Sequence, residues 1–129
     1  MGTAQAIKAY TVSSQESLVH GSSGAQLVVM LYDGVIDAVT AAAELCSNTH
    51  DYAPFGRQVG RAITILGGLR ETLDFDGGQP VAGYLLDFYN AITSKILLAQ
   101  QKRDRAMFLD CARLVADVRG SWVKLSTVN

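Results

Sequence analysis

A chain of 129 residues is about the size of one typical domain, and 49% of its residues are hydrophobic while 18% are charged. This composition can bury a sizeable core, which excludes a wholly disordered protein. Eleven Lys and Arg against twelve Asp and Glu leave a formal net charge of -1. The charge therefore indicates neither nucleic acid nor an anionic membrane surface as a partner.

The longest uninterrupted apolar stretches, such as residues 27–31, are far shorter than the roughly 20 residues that cross a bilayer. The first ten residues carry no apolar segment of the kind found in signal peptides. We therefore expect a soluble, cytoplasmic protein without membrane insertion. Cys46 and Cys111 lie far apart in the chain and form no CxxC pair, so we expect two buried, reduced thiols.

Residues 1–22 are rich in Ser, Thr and Gln and lack sustained periodicity, which predicts an N-terminal arm ahead of a bundle domain at residues 23–125. Ser23 and Gln26 have the spacing of a capping box, so the first helix should start there. Its apolar residues recur every three or four positions until the pattern fades near Asn48. The predicted core stripe of this helix is Leu27, Leu31, Val35, Ala38, Ala42 and Leu45.

Three more helices follow from local signals. Pro54 favours a helix starting at or just after it, and Gly77 and Gly78 can end that helix. Pro80 opens a third helix, and Asp104 suits the N-cap of a fourth. The predicted core stripes of these helices are Phe55, Val59, Ala62, Ile63, Leu66, Leu69 and Leu73; Val81, Leu85, Phe88, Tyr89, Ile92, Ile96 and Ala99; and Phe108, Cys111, Val115, Val118, Trp122 and Leu125.

No segment shows the strict alternation of a β-strand, and the four helices are joined by short connections. Short connections hold sequential helices side by side, so we predict an all-α, antiparallel up-down-up-down four-helix bundle with an N-terminal arm. A homodimer of helical hairpins is the alternative architecture.

The sequence contains little that supports catalysis. His20 and His50 fall in the predicted arm and a loop, and the glycine pairs lack the context of a nucleotide-binding loop. Asp33, Asp37 and Glu44 lie on one helix without a partnering Glu-x-x-His, so a bundle-core metal centre is unsupported. We predict no catalytic residue, no metal site and no cofactor.

The first and third helices carry more apolar residues than one core stripe requires. These residues lie on faces displaced from the core stripes, which is typical of a partner site, although deeper burial of both helices would explain them equally well. Gly60, Gly67 and Gly68 in the second helix indicate close approach, either by a bundle helix or by a partner. The displaced residues are Val29, Tyr32, Ile36, Leu86 and Leu97.

Several segments in order resemble the flagellar secretion chaperones known as FliS. Residues 27–36, LVVMLYDGVI, are similar to the family's L-x-x-MLYDG-x-I signature. Further segments match the family in the same order. They are residues 61–70, the LD and GG pairs that follow, the leucines of the third helix and Trp122 of the fourth. In the arm, residues 7–10 and 16–17 are similar in content and spacing to proteobacterial members. Gly24 departs from the proline that commonly opens the first helix of the family.

The resemblance implies a cytoplasmic, non-enzymatic chaperone. Members hold the disordered C-terminal segment of newly made flagellin, prevent its premature polymerisation and present it to the flagellar type III export gate. On this resemblance Val29, Tyr32, Ile36, Leu86 and Leu97 are expected to bind flagellin. The N-terminal tyrosine implicated in export would be Tyr10, with Ile7 beside it.

Three further matters stay open at the level of sequence. A structural helical homodimer or adaptor could use the same apolar stripes against itself. A co-chaperone is a further conceivable partner. Ile7 and Tyr10 share one side of a short helical turn that needs an apolar surface to dock on, so we expect the arm to cover part of the flagellin site and to be displaced by flagellin.

Overall fold

The computed structural model describes residues 24–48, 51–75 and 80–126, which form four α-helices with no β-strand among them. The helices are α1 (Gly24–Leu45), α2 (Ala53–Glu71), α3 (Val81–Lys102) and α4 (Arg105–Ser126). The prediction of an all-α four-helix bundle is confirmed. The predicted arm and Ser23 lie outside the described residues.

The helices form one ring in which α1 packs on α2 and α4, and α3 packs on the same two helices. Lys95, in the second half of α3, pairs with Asp110 in the first half of α4 at 2.9 Å. Asp33, early in α1, pairs with Arg119, late in α4. These pairings make α4 antiparallel to both α1 and α3, in agreement with the predicted up-down-up-down order.

The beginnings of the helices agree with the local sequence signals. Pro54 occupies the first turn of α2, and α3 follows directly after Pro80. Asp104 Oδ1 accepts a hydrogen bond from the Met107 amide at 3.2 Å, which confirms Asp104 as the N-cap of α4.

The predicted end of α2 at the glycine pair is wrong. The helix ends at Glu71, and the Thr72 hydroxyl donates to the carbonyl oxygen of Leu69 at 2.7 Å. The Thr72 and Leu73 amides bond to the Leu69 and Arg70 carbonyl oxygens at 3.2 Å and close the last turn. A threonine that bonds backwards therefore ends the helix before the chain reaches Gly77 and Gly78.

The core of α1 is rotated relative to the predicted stripe. Leu27 is 40% exposed and Leu31 is half-buried, whereas Val28 and Val39 are buried. Leu27 and Leu31 share a strip of the helix with Gly34, which faces Ile65 of α2, while Ala25 and Ala43, which were not part of the predicted stripe, occupy core positions. The buried residues of α1 are Gly24, Ala25, Val28, Tyr32, Val35, Ala38, Val39, Ala42 and Ala43.

The other three stripes are largely confirmed, with Ile63, Leu73, Phe88, Val118 and Leu125 only partly buried at their edges. Both thiols are buried and free, as expected. The buried residues of these helices are Phe55, Val59, Ala62, Leu66 and Leu69; Val81, Ala82, Leu85, Tyr89, Ile92, Ile96 and Ala99; and Phe108, Cys111, Val115 and Trp122.

Helix α1 is apolar enough to cross a membrane when length and composition alone are considered. It has 22 residues, and its most apolar 18-residue window has a mean hydropathy of 1.4. The uninterrupted apolar runs on which the sequence expectation relied are shorter than this window. In the bundle, 44% of the window is buried, and α1 packs more extensively on its neighbours than α3 does. The composition is that of a helix packed on two sides.

Candidate functional site

Tyr32 belongs to the core and not to a surface stripe, so its predicted placement on an outward face is wrong. The side chain is 1% exposed, and its hydroxyl accepts a hydrogen bond from Trp122 Nε1 at 3.1 Å. The Tyr32 hydroxyl also shares a hydrogen bond of 2.8 Å with the hydroxyl of Tyr89. Burial raises the pKa of Tyr32 to about 12, so the hydroxyl stays protonated and available for these bonds. We call Tyr32, Tyr89 and Trp122 the aromatic hub.

Val29 and Ile36 lie on the side of α1 that faces α4. They stand four residues before and three after Asp33, which places all three on one strip of the helix. Asp33 pairs with Arg119 of α4, and both apolar side chains pack partly buried against the core. For these two residues, the alternative explanation of deeper burial accounts for their apolar character.

Leu86 and Leu97 lie on the opposite part of the bundle, along the seam between α3 and α2. Thr93 stands seven residues after Leu86 and four before Leu97, so the three share one strip of α3. The Thr93 hydroxyl accepts a hydrogen bond from Arg70 Nη1 of α2 at 3.0 Å, which identifies this strip as the one facing α2. Leu97 is 49% exposed and Leu86 is half-buried. The five predicted residues are therefore not brought together.

The strip of α2 that leads to Arg70 along this seam carries three glycines. Gly56, Gly60 and Gly67 follow at spacings of four and seven, which puts them on one face together with the partly buried Ile63. A Cβ at Gly56 or Gly60 would meet nothing within 4 Å, and one at Gly67 would meet only the Arg70 guanidinium, at 3.7 Å. Close packing by a bundle helix, one of the two explanations for Gly60 and Gly67, is thus wrong.

The glycine that does require close packing is Gly34 in α1. A Cβ there would lie 2.8 Å from Cδ1 of Ile65 in α2. Gly68 also has open space around it, so close packing does not explain this glycine either. The spacing of Gly56, Gly60 and Gly67 is visible in the sequence, but which helix they face depends on the packing of the bundle.

The resulting surface is a shallow groove between α2 and α3, with an apolar wall from α3 and a low glycine wall from α2. It has the features of a site for an apolar helix: leucine side chains at helical spacing and backbone that can be approached closely. We call this surface the α2/α3 groove. Its members are Gly56, Gly60, Ile63, Gly67, Arg70, Leu86, Thr93 and Leu97.

A second unusual feature, which the sequence analysis missed, holds the turn between α3 and α4. Arg103 adopts left-handed backbone angles, with φ 49° and ψ 49°, after the end of α3. Its guanidinium donates to the carbonyl oxygens of Leu45, Cys46 and Asn48 at 2.9–3.2 Å, and it stacks 4.3 Å from the centre of the Phe55 ring. Arg103 thereby caps the C-terminal end of α1 from the turn between α3 and α4.

The described residues contain no group of three or more His, Cys, Asp or Glu that could hold a metal ion. Burial raises the pKa of Cys111 to about 11 and also raises that of Cys46, which makes both thiols poor nucleophiles at neutral pH. An open depression of about 390 Å³ near Cys46 is lined by Glu44, Arg103 and Arg105. His20, His50, Ile7 and Tyr10 lie outside the described residues.

Comparison with known proteins identifies one family. The family model described as "Flagellar protein FliS" matches residues 6–129. The flagellar secretion chaperone FliS of Salmonella typhimurium is 32% identical over 98% of this chain and 93% of its own length. The flagellar secretion chaperone FliSB of Pseudomonas aeruginosa is 28% identical over 95% of this chain and 96% of its own length. The flagellar secretion chaperone FliS of Escherichia coli K12 is 28% identical over 95% of this chain and 90% of its own length.

These matches and the four-helix fold define the class of protein as a flagellar secretion chaperone. More particularly, the chain belongs to the FliS family, as the signature at residues 27–36 indicated.

Proposed function

We propose that this protein is a cytoplasmic export chaperone that binds the disordered C-terminal segment of flagellin along the α2/α3 groove. It would thereby prevent premature polymerisation and deliver flagellin to the flagellar type III export gate. Ile7 and Tyr10 are the residues proposed to dock on the gate. The protein would act without enzymatic activity, metal or cofactor, and a co-chaperone stays open as a further partner.

The observation that carries this proposal is that apolar side chains of the groove stay exposed in the folded chain. Leu97 is about half exposed in a strip that points toward α2, while the facing glycines leave the α2 backbone uncovered. An amphipathic helix could bury Leu86 and Leu97 and pack closely on this backbone. Val29 and Ile36 are retained only as minor candidates, because they are partly buried against α4. Tyr32 is buried, so it would contribute to flagellin binding only indirectly, through the aromatic hub.

A flagellin segment that folds on binding must offset several kcal/mol of ordering entropy. One shallow groove is small for this purpose, so the segment is expected to continue onto neighbouring apolar surface. Tyr84 is 69% exposed and Leu98 is 39% exposed, and both are further residues of α3 that such a segment could cover.

The test is isothermal titration of the full chain with the C-terminal segment of flagellin, with a flagellin lacking that segment as the negative control. Leu97→Asp should weaken binding about 10- to 100-fold, because burying a leucine contributes about 1.5–3 kcal/mol and a carboxylate resists desolvation. Leu109→Asp is the matched control, since Leu109 is 40% exposed on α4, away from the groove. Equal affinities for the two variants would refute the placement of the site.

The alternative, a structural homodimer or adaptor, predicts that the chain covers its own apolar stripes. Sedimentation at micromolar concentration distinguishes the two functions. A monomer that binds flagellin supports the chaperone, whereas a stable dimer that Leu97→Asp dissociates and that binds no flagellin supports the alternative.

A further inference from the structure

Arg70 is the only charged member of the α2/α3 groove, and most of its hydrogen-bonding capacity is unused. Its side chain is half-buried, and its Nη1 atom donates to the Thr93 hydroxyl at 3.0 Å. The other N–H donors of the guanidinium have no partner within the described residues. The ion pairs of those residues all use the carboxylates of Asp33 and Asp110, and neither carboxylate pairs with Arg70. In the described part of the chain, the groove therefore contains a half-buried cation without a counter-ion.

The guanidinium of Arg70 is held in one position by its partner. The Thr93 hydroxyl donates to the carbonyl oxygen of Tyr89 at 2.8 Å, so its own proton is used and its oxygen accepts from Arg70. Tyr89 is 2% exposed and is bonded through its hydroxyl to Tyr32, so the residue that fixes Thr93 is itself part of the core. Nη1 is therefore engaged, while Nε and Nη2 form a planar fork that matches the geometry of a carboxylate.

The free edge of this guanidinium lies beside the backbone of α2. Gly67 stands one turn before Arg70, and a Cβ at Gly67 would lie 3.7 Å from Nη2. Because glycine has no such atom, this position places no side chain over the fork. In α3, Leu97 stands four residues after Thr93 and Leu86 seven before it, on the same strip. The cation is thus flanked by apolar side chains along the groove.

This arrangement decides which helices the groove accepts. A purely apolar helix would remove water from the Arg70 guanidinium without replacing its hydrogen bonds, which costs binding free energy. A helix with a lysine or arginine at this level would add like-charge repulsion. A carboxylate instead forms charge-assisted hydrogen bonds with the fork, and these are roughly twice as strong as neutral ones.

We propose that Arg70 selects the client of the α2/α3 groove by binding an Asp or Glu side chain in the apolar face of the client helix, and that Thr93 positions the guanidinium for this contact. The inference rests on the proposed function, in which the client is the C-terminal segment of flagellin. It requires no movement of the bundle, because the groove is already open. A helix lying along α3 would match the groove with apolar residues about four positions to one side of its carboxylate and about seven to the other, at the levels of Leu97 and Leu86.

The experiment is isothermal titration of the full chain with flagellin C-terminal segments in which each Asp and Glu is replaced in turn by Asn or Gln. One replacement should weaken binding about 5- to 30-fold, since a partly exposed, charge-assisted contact is lost. Arg70→Met should weaken binding of the unmodified segment by a similar factor and should make that replacement neutral, as expected for two changes to one contact. Arg61→Met is the matched control, because Arg61 is an exposed arginine on the side of α2 that faces α1. It should bind like the wild type and keep the preference for the acidic segment.

The positioning role of Thr93 has its own readout. Thr93→Val keeps the charge of Arg70 but removes its anchor, so the preference for the acidic segment over its neutral form should fall about 2- to 5-fold. Thr93→Ser keeps the hydroxyl and should restore the preference. A purely structural role would change both affinities alike and would overturn the assignment of Thr93. Amidation of the segment's C-terminus should leave binding unchanged, and a loss on amidation would assign Arg70 to the terminal carboxylate and overturn the choice of a side chain.

A second probe separates this inference from the proposed function. It is a pair of synthetic amphipathic helices with leucines at the two flanking positions and either Glu or Gln between them. If the wild type binds the flagellin segment, equal affinities for all replaced segments, or the same losses in Arg70→Met, overturn the inference. If the wild type binds no flagellin segment, the proposed function fails and the synthetic pair decides. A preference for Glu that Arg70→Met abolishes supports Arg70 as the carboxylate site, whereas equal or absent binding of both helices overturns it.

Discussion

The Tyr32→Phe substitution isolates the aromatic hub, because it removes one oxygen atom and leaves the shape of the core almost unchanged. That oxygen accepts from Trp122 Nε1 at 3.1 Å and is bonded to the Tyr89 hydroxyl at 2.8 Å. The substitution therefore removes two hydrogen bonds. It also takes away the acceptor of an indole N–H in a side chain that is 1% exposed.

The magnitude follows from these two effects. Each lost bond costs about 1 kcal/mol net, and a buried donor without an acceptor adds about 1–3 kcal/mol. We expect a loss of about 3–5 kcal/mol in the free energy of unfolding, a large part of the about 5–15 kcal/mol typical of a domain. Tyr89→Phe removes only one of the bonds and leaves Tyr32 to accept from Trp122. It should cost about 1 kcal/mol.

The assay is urea denaturation followed by far-UV circular dichroism and by the fluorescence of Trp122, the only tryptophan in the chain. Coincident transitions would support a two-state analysis. Tyr84→Phe, at a side chain that is 69% exposed, serves as the control and should change stability by less than about 0.5 kcal/mol. A Tyr32→Phe variant as stable as Tyr89→Phe would refute the inference that Tyr32 is the centre of the hub.

Three other changes test other parts of the fold, and one tests the arm. Ile36→Asp should lower the melting temperature markedly in thermal unfolding, because it puts a carboxylate into the seam between α1 and α4. An unchanged melting temperature would instead support Ile36 as a residue of the flagellin-binding surface. Arg103→Gly relieves the left-handed strain yet should still destabilise by about 1–3 kcal/mol in urea, because three carbonyl oxygens lose their donor; a more stable variant would contradict the capping role. The pKa of Cys111 is raised to about 11, so between pH 9 and 11 the unfolded chain binds fewer protons than the folded one and stability should fall as pH rises. Cys111→Ala should flatten that decline in urea titrations at pH 8 and 10.5, and an identical slope would assign the decline to other groups. Deletion of residues 1–12 should raise flagellin affinity slightly in titration calorimetry, and equal hydrogen exchange of the arm with and without flagellin would show that flagellin does not displace it.

The signature at residues 27–36 shows how far a motif can be understood once the structure is known. Tyr32 centres the hub, Asp33 pairs with Arg119, and Gly34 makes room for Ile65. The string therefore identified the family before its physical roles were visible. Those roles depend on residues in α2, α3 and α4, all of them distant in sequence.

The sequence by itself was sufficient to predict the four helices of the described residues, most of their beginnings and the bundle they form. These features depend on interactions within a few residues: a proline in a first turn, a carboxylate that caps three residues on, and apolar spacing of three to four. The buried stripes of α2, α3 and α4 could be read in the same way, because each of these helices has one dominant apolar face. The surplus of apolar residues on α1 and α3 was also visible, but not its meaning.

Only the tertiary structure decided which of those surplus residues are inside. Tyr32 could enter the core because Tyr89 and Trp122, more than 50 residues away, satisfy its hydroxyl, and no local pattern encodes that contact. Leu97 stays exposed because the facing wall of α2 is glycine and offers no side chain to cover it. Burial is a property of the space between helices, and periodicity along one helix records only the direction in which a side chain points.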